Sequence, residues 1–261
     1  MTIVLALLLC SLTPALAHAA PTGREIMERV DARDDGDRQI SDMEMTLIDK
    51  RGNQRVRTIR LWRRDDGENE HGILFYLSPA DVKDTGLLTY DYDDPDRDDD
   101  QWLYLPALKK TKRIASTDKS GSFMGSDFSY ADMTERDLDR YTYRFMKEGE
   151  VNGVKVWQVE AIPNEKEMEE TGYTKSVVFV RQDNDVVIRG VHWLKKGNRL
   201  KYLDVKKLEQ IDGIWVGTET HMTTKAGKAT LHKTVIRTRN VRFDQEMDPD
   251  DFTLRKLEAG L

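Results

Sequence analysis

The chain has 261 residues, with 41 Lys and Arg against 47 Asp and Glu, which gives a formal net charge of −6 at pH 7. Both signs are interspersed along the sequence, and this balance argues against a nucleic-acid partner. All-β domains commonly run to about 250 residues undivided, so the sequence predicts a single domain over residues 21–261.

The first twenty residues, MTIVLALLLCSLTPALAHAA, form an uncharged apolar run that ends in small residues. The A-H-A triplet ending at Ala19 fits the A-x-A pattern of a signal-peptide cleavage site. We therefore predict a signal peptide over residues 1–20, cleaved near Ala19, and a periplasmic location. Cys10 is the only cysteine, and because Leu9 before it is too large for a lipid-attachment site, we expect Cys10 to leave with the signal. No later segment reaches the roughly 20 apolar residues of a membrane span.

A short amphipathic helix is predicted at the start of the mature chain, within 21–34. Thr22 can serve as its N-cap, and Glu25 three residues later completes the spacing of a capping box. Beyond Gly36 the apolar residues alternate with polar ones, which indicates β-strands. Six strands are expected before residue 115, with the sequences SDMEMTLID, QRVRTIRLWRR, HGILFYLSP, TGLLTYDYD, QWLYLP and KKTKRI.

The stretch SGSFMGSDFSYAD at 120–132, called the loop below, interrupts the strands. Its glycines, aromatic residues and turn-forming residues suit neither a regular helix nor a regular strand. We predict an ordered loop that acts as a lid over the sheet. The proposed lid and hinge residues are Gly121, Phe123, Met124, Gly125 and Phe128. A fixed plug that simply closes the sheet is the alternative, and the sequence does not separate the two.

After the loop, MTERDLDRY at 133–141 has a capping-box pattern at Thr134 and Asp137 and is predicted to form a second short helix. Strands then resume, joined by turns such as Asn152-Gly153. Their sequences are TYRFMKE, VKVWQVEAIP, TKSVVFVRQD, VVIRGVHWLK, LKYLDVKKLEQ, IWVGTETHMTT and ATLHKTVIRTRNVRF, and DPDDFTLRKL near the C terminus is a third candidate helix.

About a dozen strands with short connections predict an antiparallel sheet, and accumulated twist curls a sheet of that size toward a barrel. The predicted fold class is therefore mainly β: a curled antiparallel sheet that forms a half-open β-barrel, with short helices as a lid. Alternation suggests which large side chains face the interior, although a one-residue slip would reverse any strand. The candidate lipid-binding residues chosen in this way are Met43, Met45, Leu61, Phe75, Leu88, Trp102, Tyr104, Trp157 and Phe179.

Two motifs point to a known family. Trp102, Tyr104 and Pro106 form a W-x-Y-x-P motif followed by the basic stretch KKTKR at 109–113, and S-F-M-G-S-D-F-S-Y-x-D occupies 122–132. Together with the N-terminal helix, they resemble the outer-membrane lipoprotein-sorting proteins of the LolA/LolB-like superfamily, in the branch often encoded beside transporters of the resistance-nodulation-division (RND) type. The resemblance implies a LolA-like half-barrel whose apolar cavity takes acyl chains.

The function implied by this resemblance is that of a periplasmic carrier, which binds acyl chains of lipoproteins or lipids and delivers them toward the outer membrane. Its partners would be that cargo, an inner-membrane RND-type transporter or an outer-membrane acceptor. The alternative is a periplasmic adaptor of such a transporter that carries no cargo of its own. These two readings differ in whether a lipid can be extracted from the protein.

Other motifs give little support for catalysis or metal binding. In the acidic run DYDDPDRDDD, Asp94, Asp96 and Asp98 resemble the start of an EF-hand loop, but Asp99 stands where that loop needs Gly and Leu105 where it needs Glu. A solvated hairpin tip is the better interpretation of this run. No G-x-S-x-G elbow or H-E-x-x-H motif occurs. We therefore predict no enzyme activity, no catalytic or metal-binding residue and no cofactor.

Overall fold

The computed structural model describes residues 20–67, 69–94 and 96–261, so the predicted signal peptide lies outside the described residues except for Ala20. Thirteen strands form one sheet. The first six are β1 (Arg38–Asp49), β2 (Gln54–Asp66), β3 (Asn69–Ser78), β4 (Gly86–Asp91), β5 (Asp100–Leu105) and β6 (Lys110–Arg113). The other seven are β7 (Tyr141–Val151), β8 (Val154–Pro163), β9 (Tyr173–Arg181), β10 (Val187–Leu194), β11 (Arg199–Ile211), β12 (Ile214–Ala226) and β13 (Ala229–Arg242).

The predicted N-terminal helix is confirmed as α1 (Gly23–Asp31), and both hydrogen bonds of its capping box are formed between Thr22 and Glu25. The C-terminal helix is confirmed as α3 (Leu254–Ala259). The sequence analysis missed α2 (Glu165–Thr171), which is capped by the Asn164 side chain and ends at a glycine in the left-handed conformation. None of the described helices has the length and apolar character needed to cross a membrane.

The helix predicted at 133–141 is wrong. This segment contains the end of one 3-10 turn, Tyr130–Met133, and a second one, Leu138–Arg140. The capping box that does form belongs to Ser129 and Asp132, five residues before the predicted one. Asp137 caps only the single turn that follows it, so the segment gains no helical hydrogen bonds beyond that turn.

The strand order is β6-β5-β4-β3-β2-β1-β13-β12-β11-β10-β9-β8-β7, and the neighbouring strands pair antiparallel. The prediction of a mainly β, antiparallel fold is confirmed. The first strand pairs with the last, and the two edge strands, β6 and β7, follow each other in the sequence. The segment 114–140, which contains the loop, therefore connects the two free edges of the sheet.

Contacts of this connecting segment show that the sheet is strongly curled. Strands β5 and β9 are nine positions apart in the strand order, which would separate them by about 43 Å in a flat sheet. The side chain of Gln101 in β5 donates to the carbonyl oxygen of Tyr130 (3.0 Å), while the hydroxyl of Tyr173 in β9 donates to Asp132 (2.9 Å). Two residues span at most about 7 Å of chain. The sheet must therefore wrap around the loop, which lies on its concave face.

The concave face carries the largest apolar cluster of the described residues, called the trough below. Its ten buried members are Met45, Leu47, Ile59, Leu74, Tyr76, Val82, Leu87, Leu103, Ile114 and Phe123. On the opposite face, Ile73, Phe75 and Leu88 pack against Phe252 and against Leu257 of α3. Strands β3 and β4 are thus covered on both faces, which explains their continuous apolar runs ILFY and GLLT.

Candidate functional site

Phe123 is the loop residue that enters the trough. Its side chain is 1% exposed and belongs to the same cluster as the strand residues Ile59 and Leu103. The rings of Tyr76 and Tyr130 lie 6.2 and 5.6 Å from its ring, with the latter in an edge-to-face arrangement. Full burial of a Phe side chain contributes about 1.5–3 kcal/mol, so Phe123 provides a substantial part of the attraction between loop and sheet.

The loop closes on itself through backbone hydrogen bonds. The amide of Phe123 donates to the carbonyl of Phe128 (2.8 Å), and the amide of Tyr130 donates to the carbonyl of Gly121 (3.1 Å). The reversal lies at Met124 and Gly125, which both have positive φ, 49° and 76°. Glycine tolerates this conformation without a steric penalty. The loop is therefore a compact unit that presents the side chain at position 123 to the trough.

Asp127 attaches the loop to the opposite half of the sheet. Its carboxylate, 4% exposed, accepts hydrogen bonds from the hydroxyls of Thr224 (2.5 Å) and Thr234 (2.8 Å) and contacts Nδ1 of His232 (2.7 Å). The amide of Asp127 also donates to the Thr234 hydroxyl (2.9 Å). Hydrogen bonds to a charged group are worth more than neutral ones, so Asp127 is the strongest single polar attachment within 120–128.

A second carboxylate, Asp132, fixes the C-terminal end of the loop. It accepts hydrogen bonds from the amide (2.7 Å) and hydroxyl (2.8 Å) of Ser129 and from the hydroxyl of Tyr173 (2.9 Å). The ammonium of Lys201 lies 3.5 Å away. Burial acts to raise the pKa of Asp132, but Lys201 and the hydrogen bonds from Ser129 outweigh it and leave the pKa lowered. Asp132 is therefore charged and holds its neighbours in place.

Two strand residues bind backbone carbonyls of the loop from the other half of the sheet. Arg57 in β2 donates to the carbonyl of Met124 (2.6 Å), and Gln101 donates to that of Tyr130. The loop is consequently held on both sides, by charged or amide side chains at its rim and by an aromatic side chain in the trough. Its opening would break these polar contacts together with the apolar contacts that Phe123, Met124 and Tyr130 make with the trough.

The predicted lipid-binding residues do not all share one face. Met43, Met45 and Leu61 belong to the trough or pack against it, while Trp157 packs beneath α1. The expectation of a common interior face is wrong for the other five. Phe75, Leu88, Trp102 and Tyr104 lie in the cluster under α3, and Phe179 packs against a separate cluster with Val156 and Ile188. Alternation could not choose between the faces because both faces of β3 and β4 are buried.

The predicted lid residues are together in the loop, where Phe123 and Phe128 are buried (1% and 8% exposed). Sequence reasoning treated Asp127 only as a turn residue and did not single out Asp132, Arg57 or His232 for the site. A signal was present, because two aspartates within a buried aromatic segment need polar partners on the surface that they cover.

An outer cleft of 330 Å³ opens beside the loop, between the 131–140 segment, α2 and the chain around β4 and β5. Ten of its lining side chains are acidic and four are basic. Burial, with a smaller effect of the nearby Asp99 carboxylate, raises the pKa of Asp91 to about 8. The ammonium of Lys119, 2% exposed, lies 3.5 Å from Asp99 and 3.7 Å from Glu170, and so joins the β5 side of the cleft to α2.

One group of carboxylates in this region has the spacing of a metal site: oxygens of Asp35, Glu70 and Glu135 lie within 4.8 Å of one another. The guanidinium of Arg63 lies between them, 2.7 Å from Asp35 and 2.9 Å from Glu70. Arg63 thus supplies the positive charge that this group needs. Asp98, from the EF-hand-like run, is paired instead with Lys166 (2.8 Å).

A second pocket of 200 Å³, called the inner pocket below, lies against the concave face of the sheet. Residues of four neighbouring strands line it, Tyr173, His192, Leu203 and Met222, together with Phe128 of the loop. Burial lowers the pKa of His192 to about 4, so its imidazole is neutral at physiological pH. Several lining residues, Arg136 among them, are shared with the outer cleft, so the two spaces adjoin.

Comparison with solved structures finds the same fold elsewhere. A domain from Vibrio parahaemolyticus, provisionally described as an outer membrane lipoprotein-sorting protein, has 33% identity and a TM-score of 0.82, over 90% of this chain and 98% of that one. A DUF1329 family protein from Desulfovibrio piger has 30% identity and a TM-score of 0.82, over 90% and 97%. A LolA superfamily protein from Nitrosomonas europaea, 13% identical over 91% and 100% of the two chains, has a TM-score of 0.69.

A family model described as "Uncharacterized protein" matches residues 68–259, and no curated protein matches the chain. The resemblance to the LolA superfamily is confirmed at the level of the fold. The protein belongs to the DUF1329 family and has a LolA-like fold.

Proposed function

We propose that the protein is a periplasmic carrier that binds acyl chains of lipids or lipoproteins in the trough and delivers them toward the outer membrane. The observation that carries this proposal is the cluster of apolar side chains beneath a loop that buries the ring of Phe123 in it. Support also comes from the fold, and from the Vibrio relative, which is provisionally described as a lipoprotein-sorting protein.

Burial of an acyl chain offsets part of the cost of opening the loop. A chain of about ten methylenes supplies about 8 kcal/mol, at about 0.8 kcal/mol per methylene. The apolar part of the loop's attachment, burial of Phe123 and Met124, supplies at most about 6 kcal/mol, and the hydrogen bonds of Asp127, Arg57 and Gln101 add to it. A tail therefore competes with the apolar part of the attachment, and return of the loop assists release. No chemical energy source is needed, because each step only shifts a population between two states.

Mass spectrometry of organic extracts from the purified protein tests the carrier function. A lipid at a ratio of about one per protein chain supports it. Repeated preparations without lipid, together with failure to take up lipid from vesicles, would contradict it.

A second candidate is an adaptor of an RND-type transporter that binds no cargo. One observation favours it: in the described residues the loop fills the trough, and the outer cleft is lined mainly by charged side chains. An adaptor predicts no extractable lipid under any condition, together with stable binding to a transporter. The extraction experiment therefore separates the two candidates.

A further inference from the structure

Arg136 lies where the outer cleft meets the inner pocket, and it lines both. Its guanidinium is 4.9 Å from the centre of the Tyr141 ring. Within 20–67, 69–94 and 96–261, no acceptor forms a hydrogen bond or ion pair with it. A guanidinium keeps its charge at any pH that a protein tolerates. Burial acts against this charge, but Tyr141, Tyr143 and the carboxylates of Glu167 and Asp132 outweigh it and leave the pKa of Arg136 raised. The positive charge is therefore maintained at this junction without a direct acceptor, and an anionic group on a ligand can provide one.

The inner pocket beside Arg136 offers an apolar wall for the rest of such a ligand. Phe128, Leu203 and Met222 contribute this wall. His192 is 5% exposed and lines the same pocket. Its Nδ1 is bonded to the Ser176 hydroxyl (2.8 Å), while its Nε2 has no hydrogen-bond partner among the residues that the structure describes. The pocket thus combines hydrocarbon contacts with two polar groups that are free to meet a head group.

The outer cleft on the other side of Arg136 has the opposite charge. Its acidic side chains outnumber its basic ones by ten to four, and those of Asp31 and Asp93 have no ion-pair partner in the part of the chain that the structure describes. This excess of acid repels a ligand that is only anionic, whereas it attracts a cationic group. A ligand that fits both sides carries a positive charge a few bonds from its negative one.

We propose that the junction of the outer cleft and the inner pocket, at Arg136, binds the head group of a zwitterionic, amine-bearing phospholipid. Arg136 pairs with the phosphate, the carboxylates of the outer cleft attract the amine, and the first part of the acyl chain enters the inner pocket beside Phe128, next to the loop that covers the trough. The inference rests on the proposed carrier function and names its cargo class. Because Phe128 follows Asp127 directly in the loop, a chain in the inner pocket contacts the loop beside its main polar attachment. The geometry thus links recognition of the head group to displacement of the loop.

The test measures binding of three probes with the same single acyl chain, below their micelle concentrations, to the mature protein. Lysophosphatidylethanolamine is zwitterionic, lysophosphatidylglycerol carries a net negative charge, and monoacylglycerol is uncharged. We expect the zwitterionic probe to bind the wild type at least tenfold more tightly than either of the others. Equal or tighter binding of the anionic probe would overturn the inference without any mutation.

Variants then locate the site. Arg136→Gln should weaken binding of the zwitterionic probe at least tenfold and leave binding of monoacylglycerol within about twofold of the wild type. Arg136→Lys should retain part of the affinity for the zwitterionic probe, since it keeps the charge. Arg144→Ala is the matched control, because Arg144 is 64% exposed and pairs with Glu160; it should bind as the wild type does. Unchanged binding by Arg136→Gln would refute the head-group inference alone. Failure of all three probes to bind the wild type would refute the carrier function as well.

Discussion

Truncation of Phe123 to alanine distinguishes a movable lid from a fixed plug. The side chain is 1% exposed in the trough, and a buried Phe→Ala change costs about 3–5 kcal/mol when the site cannot open independently. If the loop is a fixed part of the core, that whole cost appears in the free energy of global unfolding. For a domain of 150–250 residues each kcal/mol lowers the melting temperature by about 2–4 °C, so the expected loss is roughly 6–20 °C.

A movable loop changes this result, because a folded open state remains available to the variant. The free energy of global unfolding then falls by no more than the free energy of loop closure in the wild type. The rest of the effect is an increase in the fraction of molecules whose loop is open. The amide of Asp127, which donates to the Thr234 hydroxyl of the sheet, should exchange with deuterium at least tenfold faster. Uptake of lipid from vesicles should become faster, while retention of lipid becomes weaker.

Phe75→Ala is the matched control. Phe75 is the same residue type with the same 1% exposure, but it lies on the opposite face under α3. It should lower the melting temperature without changing lipid uptake. The lid hypothesis is refuted if Phe123→Ala loses as much stability as Phe75→Ala and takes up lipid no faster than the wild type.

Three further predictions concern the polar groups. Asp127→Ala removes a carboxylate that accepts hydrogen bonds from two threonines and contacts His232. The free energy that closes the loop should fall by about 1.5–3 kcal/mol, so the loop amides should exchange with deuterium roughly 10- to 100-fold faster. Unchanged exchange would contradict this role of Asp127. Burial lowers the pKa of His192 from 6.5 to about 4. As the pH falls below 6.5, His192 takes up a proton in the unfolded chain before it does so in the folded protein. The stability that neutral His192 contributes above pH 6.5 is therefore lost progressively toward pH 4. In denaturant titrations, the free energy of unfolding should fall by about 2–3 kcal/mol more between pH 7.5 and pH 4.5 for the wild type than for His192→Gln. Equal falls in the two proteins would refute this prediction. Lys119→Met leaves Asp99 without the buried ammonium 3.5 Å away, while Glu170 keeps Arg140, and it should cost about 3–5 kcal/mol. Lys112→Met, 63% exposed, should cost less than about 1 kcal/mol in the same melting experiment; equal effects would argue against a structural role for Lys119.

The strands could be predicted because their information is local. Alternation marks each strand, and turns such as Asn152-Gly153, where both residues have positive φ, mark the reversals. The pairing of β1 with β13 could not be predicted, since it depends on contacts between strands that are about 190 residues apart in the sequence. The α2 helix was not predicted, although the Asn164 cap and the Gly172 terminus are a usable local signal for it.

The loop was identified from its composition, but its mode of attachment was not. Phe123 is a buried aromatic, as expected of an ordered loop, yet the polar partners of Asp127 come from strands more than ninety residues later. Facing could be predicted for Met45, because apolar and polar residues alternate in the sequence around it, with Glu44 and Thr46 on either side. It could not be predicted for Phe75, because both faces of β3 are covered. The position of Arg136 between two cavities depends on the whole fold.

The central claim is that the loop must leave the trough for a lipid to enter, and a reversible crosslink tests it most directly. Both the carboxylate and the backbone amide of Asp127 lie within 2.9 Å of the Thr234 hydroxyl, so the two residues are direct neighbours, and the Asp127→Cys/Thr234→Cys pair is the crosslink to introduce. The reduced double variant is the control, since it has the same two substitutions. Lipid transfer between vesicles should stop when the disulfide forms and resume when it is reduced. Equal transfer in the oxidised and reduced states would contradict the account.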